Sequence, residues 1–336
     1  MKKPIIKIDK VKKAFNGNVV LDGISIEIEE NEIFAIIGGS GTGKTTLLNT
    51  IIGFLRPDSG EVFFKDDNIF ETSSTSQFRP VLENIETVKR KFGFAAQSPS
   101  FYSKLTVFEN LDYFAALYNL TTEARLTNIN TILDLVELDK ARDVQAKNLS
   151  GGMQRRLDMA CALVHDPDIL ILDEPTSDLD PMLARHIWKL IEKINKRGTT
   201  IIVATHDLSE IETICTRIAI LSNAKIEHIG TMHELTSMLS RGLEIHLETY
   251  PGNYDKILKH LKDPLITEKE NRGNKCVIHT AKPQKVLLKI LNALSELDET
   301  LMEVNITKLS LSDVFSKITK KRMKKDEDKQ NNKKEH

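Results

Sequence analysis

The chain has 336 residues, enough for one large domain and a small one, and its 47 lysines and arginines nearly balance 48 aspartates and glutamates, which argues against bulk attraction to nucleic acid. Cys161, Cys215 and Cys276 are far apart and lack CxxC spacing, so they read as buried thiols in a reducing compartment and exclude a disulfide frame, a zinc site or an iron–sulfur cluster. No apolar run approaches the roughly 18 residues that span a bilayer, and charges break up the first ten residues, so the chain is expected to be soluble and to reach any membrane through a partner.

From 5 to 38 the pattern is mostly β. Ile24, Ile26 and Ile28 alternate with Ser25, Glu27 and Glu29, the period of a half-buried strand. An apolar strand over 33–37 then enters Gly38-Gly39-Ser40-Gly41-Thr42-Gly43-Lys44-Thr45-Thr46, and a helical run follows over 45–52. This is the phosphate-loop pattern G-x-x-x-x-G-K-[ST] in the strand-then-helix context it requires. The glycines let successive N–H groups curl toward phosphate oxygens, and the helix adds its positive end. Lys44 can reach the β- and γ-phosphates, and the Thr45 hydroxyl can bind Mg²⁺. The chain is expected to bind a nucleoside triphosphate.

A turn over 56–60 and a strand over 61–64 come next, and then a Ser/Thr-rich, later charged run over 71–90 that reads as an irregular insertion or mobile excursion. Helical periodicity dominates 107–138, with Phe108, Leu111, Phe114, Ala115 and Tyr118 on one face and Ile129, Ile132, Leu133 and Val136 on another. Uninterrupted apolar runs at 169–172 and 200–204 suit parallel strands buried on both faces, joined by a crossover helix over 183–197. From about 243 a separate unit begins: strands at 243–247, 276–279 and 301–306 alternate with helices at 254–261, 284–294 and 311–318, in the order βαβαβα. It contains no nucleotide motif. The lysine-rich end, 320–336, reads as a disordered basic tail.

Two further stretches carry chemistry. The strand at 169–172 ends in Asp173-Glu174-Pro175, where ligands meet catalytic groups in a parallel sheet. Alone, such an acid pair is an ordinary solvated strand end; behind a phosphate loop, Asp173 suits Mg²⁺ and Glu174 suits the γ-phosphate and its attacking water. Leu149-Ser150-Gly151-Gly152-Met153-Gln154 opens a helix with a hydroxyl and two glycines. That is either a second anion site or a plain Ser150 N-cap.

Taken in order, Phe15, the loop at 38–45, Gln97, the 149–154 stretch, Asp173-Glu174, Ser177-Asp178-Leu179-Asp180 and His206 closely resemble the motif series of the ATP-binding subunit of an ABC (ATP-binding cassette) transporter, over roughly 3–235. The resemblance implies an α/β fold, a P-loop NTPase core with an antiparallel β subdomain and a helical subdomain at about 98–165. A small C-terminal α/β module at 240–319 and the tail at 320–336 complete the chain. It implies ATP and Mg²⁺ as cofactors, with Glu174 as general base and His206 and Lys44 on the γ-phosphate. Phe15, where tyrosine is more usual, would stack on adenine. Thr45, Gln97 and Asp173 would attend Mg²⁺. Gly38 to Thr46, Ser150, Gly151, Gly152, Gln154 and Asp180 would complete the nucleotide sites. The signature at 149–154 of one subunit would close over the phosphate loop of a second ATP-binding subunit, a homodimer mate or paralogue. The other partner implied is a transmembrane permease at the cytoplasmic face of the cell membrane, touched by the helical subdomain; no nucleic acid is implied. Leu309-Ser310-Leu311-Ser312-Asp313-Val314-Phe315 resembles the ending of drug- and antibiotic-export subunits, which points to an exporter. The competing readings are a soluble ABC ATPase of translation or DNA repair, which would carry two cassettes or a coiled-coil insertion, and an inactive nucleotide-binding regulator, against which the intact Lys44, Asp173, Glu174 and His206 argue.

Overall fold

The structure, a computed structural model, describes residues 3–66, 77–208, 211–239 and 243–307. It divides into two compact units, Met1–Thr231 and Met232–His336.

The first unit begins with β1 (Pro4–Phe15), β2 (Asn18–Glu29), β3 (Ile33–Ile37), α1 (Lys44–Ile51), β4 (Ser59–Lys65) and β5 (Phe78–Pro80). It continues through α2 (Ile85–Lys91), β6 (Phe92–Ala95), α3 (Val107–Leu117), α4 (Thr122–Val136) and α5 (Gly151–Leu163). It ends with β7 (Ile169–Asp173), α6 (Pro181–Lys196), β8 (Thr200–Thr205), α7 (Ile211–Ile214), β9 (Arg217–Ser222) and β10 (Lys225–Gly230). One sheet, β2-β1-β4-β5, is antiparallel; in the other, β10-β9-β3-β8-β7-β6, β3 and β6 to β9 run parallel and β10 closes one edge antiparallel. The alternation in β2 is realised, with Ile24, Ile26 and Ile28 all buried. β3, β7 and β8 are buried along their whole length, as central parallel strands must be. Side chains from both sheets, among them Ile26, Phe64, Phe34 and Ile171, share one core with Leu47 and Ile51 of α1.

The expected irregular run at 71–90 is more ordered from 77 on. β5 pairs with β4, and Val81 and Val88 are buried in the shared core, which anchors α2. Residues 71–76 lie outside the described residues. The periodic stretch over 107–138 is two helices, because Asn119 takes a left-handed φ of 58° and Thr121 accepts from Ala124 N to cap α4. Thr106 caps α3 reciprocally with Glu109.

Between these helices and the sheet sits His165, its ring stacked 3.6 Å from that of Tyr118 and its Nε2 3.2 Å from the Phe92 carbonyl oxygen. Burial pulls its pKa down to about 4. The unfolded chain, titrating near 6.5, then binds more protons between the two values, so this contribution is fully present above about pH 6.5 and lost as pH falls toward 4. His165→Phe, which keeps the stacked ring, should remove about 2–3 kcal/mol of the acid destabilisation, read as the difference in urea midpoints between pH 7.5 and 4.

The second unit holds α8 (Met232–Leu239), β11 (Leu243–Tyr250), α9 (Tyr254–His260), β12 (Ile266–Asn271), β13 (Cys276–Thr280), α10 (Pro283–Glu296) and β14 (Thr300–Thr307). Its sheet is antiparallel, in the order β12-β13-β11-β14. From β11 on the succession is βαββαβ, so β12 corrects the expected order. That strand reads Ile-Thr-Glu-Lys-Glu-Asn and shows no apolar alternation, because it is held by backbone pairing to β13 at an edge. Ile245, Leu247 and Ile278 of the sheet pack with Ile257, Val286 and Ile290 of α9 and α10. The expected helix at 311–318 and the tail at 320–336 lie outside the described residues.

Candidate nucleotide-binding site

β3 delivers the chain into a loop that admits little but glycine at its two ends. A Cβ on Gly38 would lie 2.6 Å from the Leu221 carbonyl oxygen and from Thr42 Oγ1; one on Gly43, at φ 104°, would lie 2.9 Å from the Val20 carbonyl oxygen. Thr42 Oγ1 donates to the Gly39 carbonyl and braces the curl. Lys44, only 6% exposed, opens α1 and turns its ammonium back into the loop, donating to the carbonyls of Gly38 (2.9 Å) and Gly39 (3.2 Å). Ser40, Gly41 and Thr42 form one wall of a cleft of about 620 Å³ whose other residues include Val19, Val20 and Asn223. Phe15, paired with Asn18 where β1 turns into β2, is 44% exposed, with Lys13 Nζ 5.5 Å from its ring centroid.

The ends of β7 and β8 supply the acids and the histidine. Glu174 N donates to the Ala204 carbonyl, then the chain turns at Glu174 with φ 48°. Its carboxylate reaches Lys44 Nζ through Oε1 at 3.2 Å and His206 through Oε2, at 2.9 Å from Nδ1 and 3.3 Å from the backbone N. Nδ1 of His206 makes this contact, and Nε2 takes no part in it. Asp173 is 1% exposed, and burial raises its pKa, helped by the charge of Glu174 and opposed by a hydrogen bond from the Thr45 hydroxyl and by Lys44 and Arg155. One of its oxygens, Oδ1, is buried without a hydrogen-bond partner among the described residues.

The structure thus joins Gly38, Gly39, Thr42, Lys44, Thr45, Asp173, Glu174 and His206 in one contact network. Other candidates are placed differently. Gln97 is exposed just beyond β6. Ser150 accepts from Met153 N as the N-cap of α5, while Gly151 and Gly152 lie beside Leu179 and Leu183. Gln154 Nε2 donates to the carbonyls of Ala146 and Leu149, bracing the turn before its own helix. Asp180 is engaged as the N-cap of α6, accepting from Met182 N and Leu183 N.

Motif reading missed Arg155. Its buried guanidinium donates to the carbonyls of Ala96, Asp173, Glu174 and Pro175 and pairs with Asp158 at 3.2 Å. Asp158 in turn accepts from Ser100 N and Oγ. Burial pulls the Arg155 pKa down, against the carboxylates of Asp158 and Asp173. One side chain therefore ties the helix that begins at Ser150 to the strand ends beside Gln97 and Glu174. The i, i+3 spacing of Arg155 and Asp158 was the available signal, but it looks like any surface helix pair.

Comparison with known proteins agrees with this geometry. The ABC transporter family matches residues 21–177. The chain is 30% identical over 319 residues to the Nod factor export ATP-binding protein I of Sinorhizobium fredii, covering 95% of this chain and 87% of that protein. It is 28% identical over 320 residues to the linearmycin resistance ATP-binding protein LnrL of Bacillus subtilis, covering 94% and 98%. Among solved structures, cbiO1 from Clostridium perfringens, part of the ABC transporter complex cbiONQ, superposes with a TM-score of 0.62 at 29% identity, over 70% of this chain and 92% of that one. A dimeric, post-hydrolysis ATP-binding cassette bound to ADP and Pi matches with a TM-score of 0.58 at 28% identity, over 68% and 99%. Subunits of this kind bind nucleotide, dimerise and work with transmembrane permeases. Similarity at 30% identity that runs the length of an ATP-binding export protein goes beyond a shared loop motif: this chain belongs to the ABC transporter family, as an ATP-hydrolysing motor subunit.

Proposed function

We propose that two copies of this chain, or one copy and a paralogue, close head to tail on ATP and drive an export permease from the cytoplasmic face of the cell membrane. The observation that carries the catalytic part is the contact of Glu174 with both Lys44 and His206 at the mouth of the phosphate loop. A carboxylate offers about four lone-pair sites. Three donors occupy Glu174, which leaves one on Oε1 to accept a proton from an attacking water. Lys44 and the loop N–H groups hold the β- and γ-phosphates, and Nε2 of His206, which does not touch Glu174, is left to donate to the γ-phosphate. Phe15, exposed at the end of β1, stacks on the adenine.

Mg²⁺ fits the donors present. Buried Asp173 Oδ1 is unpartnered, and the Thr45 hydroxyl already contacts the same carboxylate. Among the described residues no cluster of three or more His, Cys, Asp or Glu could hold a metal, which suits an ion that takes most of its oxygens from phosphates and water. Asp173 and Thr45 would hold it, with Gln97 a further candidate. Bound there, it would supply positive charge against the phosphate oxygens.

The partner cassette is implicated by Ser150 and Gly151, which stand exposed at the start of a 13-residue helix, engaged only with their own turn in the hydrogen bonds of the described residues. An exposed helix N-terminus with free N–H groups suits the γ-phosphate held by a second chain. Among the described residues no helix is long and apolar enough to cross a membrane. Export is supported by the name of one relative matched along most of the chain, the Nod factor export ATP-binding protein I. Light scattering of Glu174→Gln with Mg-ATP should show a dimer that Ser150→Arg prevents while melting like its parent. A folded Ser150→Arg chain that still dimerises with ATP would remove the signature from the interface.

A further inference from the structure

We propose that β14 of the C-terminal unit pairs edge to edge, antiparallel, with β14 of a second copy, so that two four-stranded sheets become one of eight strands. The two edges of this sheet are built differently. β12 sets Glu268, Lys269 and Glu270 in a row, the kind of charged edge that discourages strand addition. β14 has one charge, Glu303, in eight residues, with no lysine and no proline; a bulge at Met302 interrupts it, but 303–307 keep a regular register and no described strand pairs with their outer side. Val304 lies opposite Leu247 and Ile306 opposite Ile245, in register, so both belong to the apolar face that carries the helices. Yet Val304 and Ile306 remain 38% and 41% exposed, and Met302 68%.

A second copy is the occupant that these residues specify. Identical strands pairing antiparallel are related by a two-fold axis, the symmetry a closed pair of subunits already has. An axis through Val304 sets Val304 against its mate and Glu303 against the partner's Asn305, within the regular stretch that begins after the bulge at Met302. Apolar then meets apolar, and the single carboxylate meets an amide. An axis through Glu303 would set two carboxylates face to face, as an unfavourable cross-strand pair. One eight-residue edge falls well below the roughly 1,200 Å² that a stable dimer buries. The pairing therefore forms when another contact already holds two chains together. This step rests on the proposed cassette pair, which would hold the two chains together.

Cysteines placed in full-length Glu174→Gln, with Mg-ATP and mild oxidation, test it. Val304→Cys should give at least about fivefold more disulfide dimer than Glu303→Cys or Asn305→Cys alone, because directly opposite Cβ atoms lie about 4.5–5.5 Å apart. Mixing the Glu303→Cys and Asn305→Cys chains should restore cross-linking. The wild-type chain, whose Cys161 and Cys276 are buried, gives the background. Independently, Val304→Lys with Ile306→Lys should weaken the ATP-dependent dimer about tenfold. Light scattering reports cassette pairing separately. A scattering dimer without the Val304→Cys product overturns the strand pairing and leaves the cassette reading intact. If scattering shows no dimer, the cassette reading fails, and absence of the product at high protein concentration overturns this one too. A product that appears only after removal of 308–336 would assign the edge to the chain's own following segment and likewise overturn the proposal.

Discussion

Replacing Glu174 by Gln lowers steady-state phosphate release about a thousandfold, the middle of the range for removing a positioned general base. The amide keeps the shape of the side chain at the end of β7, so the loop carbonyls that hold Lys44 are undisturbed. ATP binding therefore survives, and it should strengthen where Lys44 loses a competing carboxylate 3.2 Å away. Loss of turnover with retained or tighter binding separates Glu174 from Lys44, because Lys44→Ala removes the phosphate clamp and weakens both. A Glu174→Gln chain with a rate within tenfold of wild type would place the base elsewhere.

Arg155→Met costs about 3–5 kcal/mol of stability, the penalty for breaking a buried ion pair by deleting one partner. The carbonyl oxygens of Ala96, Asp173 and Pro175 lose the guanidinium donor, that of Glu174 keeps Ser177 N and Oγ, and Asp158 keeps only its Ser100 contacts. The effect should exceed what volume alone predicts, since Met nearly fills the space. Guanidinium unfolding followed by a probe in the first unit measures it. A companion variant, Arg155→Met with Asp158→Met, should recover part of the loss because the orphaned charge is gone. Turnover should drop even in the folded fraction, because Arg155 fixes the backbone on which Asp173 and Glu174 stand. A midpoint shift no larger than that of a surface substitution would show that these carbonyls find other donors.

What the sequence disclosed was whatever chemistry forces into a local pattern. Gly38 and Gly43 are glycines because neighbouring backbone leaves no room for a Cβ, and Lys44 follows them because its ammonium must curl back over the same loop. β3, β7 and β8 declared themselves through unbroken apolar runs. The membership in the ABC family followed from the order of such motifs. Less legible were features that depend on packing between distant segments. The donor fan of Arg155 exists only because α5 lies against the ends of β6 and β7. β12 is a strand because β13 is beside it, and its own residues favour nothing of the kind. α3 and α4 share one periodicity, and their separation depends on a single left-handed Asn119. Asp180 shows the opposite case: a residue matched to a functional motif whose carboxylate is held by two backbone donors of its own helix.

In the proposed pair each working site is composite, with Glu174 from one chain and the Ser150 turn from another. Glu174→Gln and Ser150→Arg should each be inactive alone, for different reasons. Mixed in equal amounts, they should regain ATP hydrolysis, because the mixed dimer contains one site with an intact Glu174 facing an intact Ser150. Each mixed dimer has one intact site of its two, so the rate should rise toward, and not beyond, about a quarter of wild type, the value for unbiased pairing. A mixture that hydrolyses ATP no faster than the sum of its two components would contradict the account.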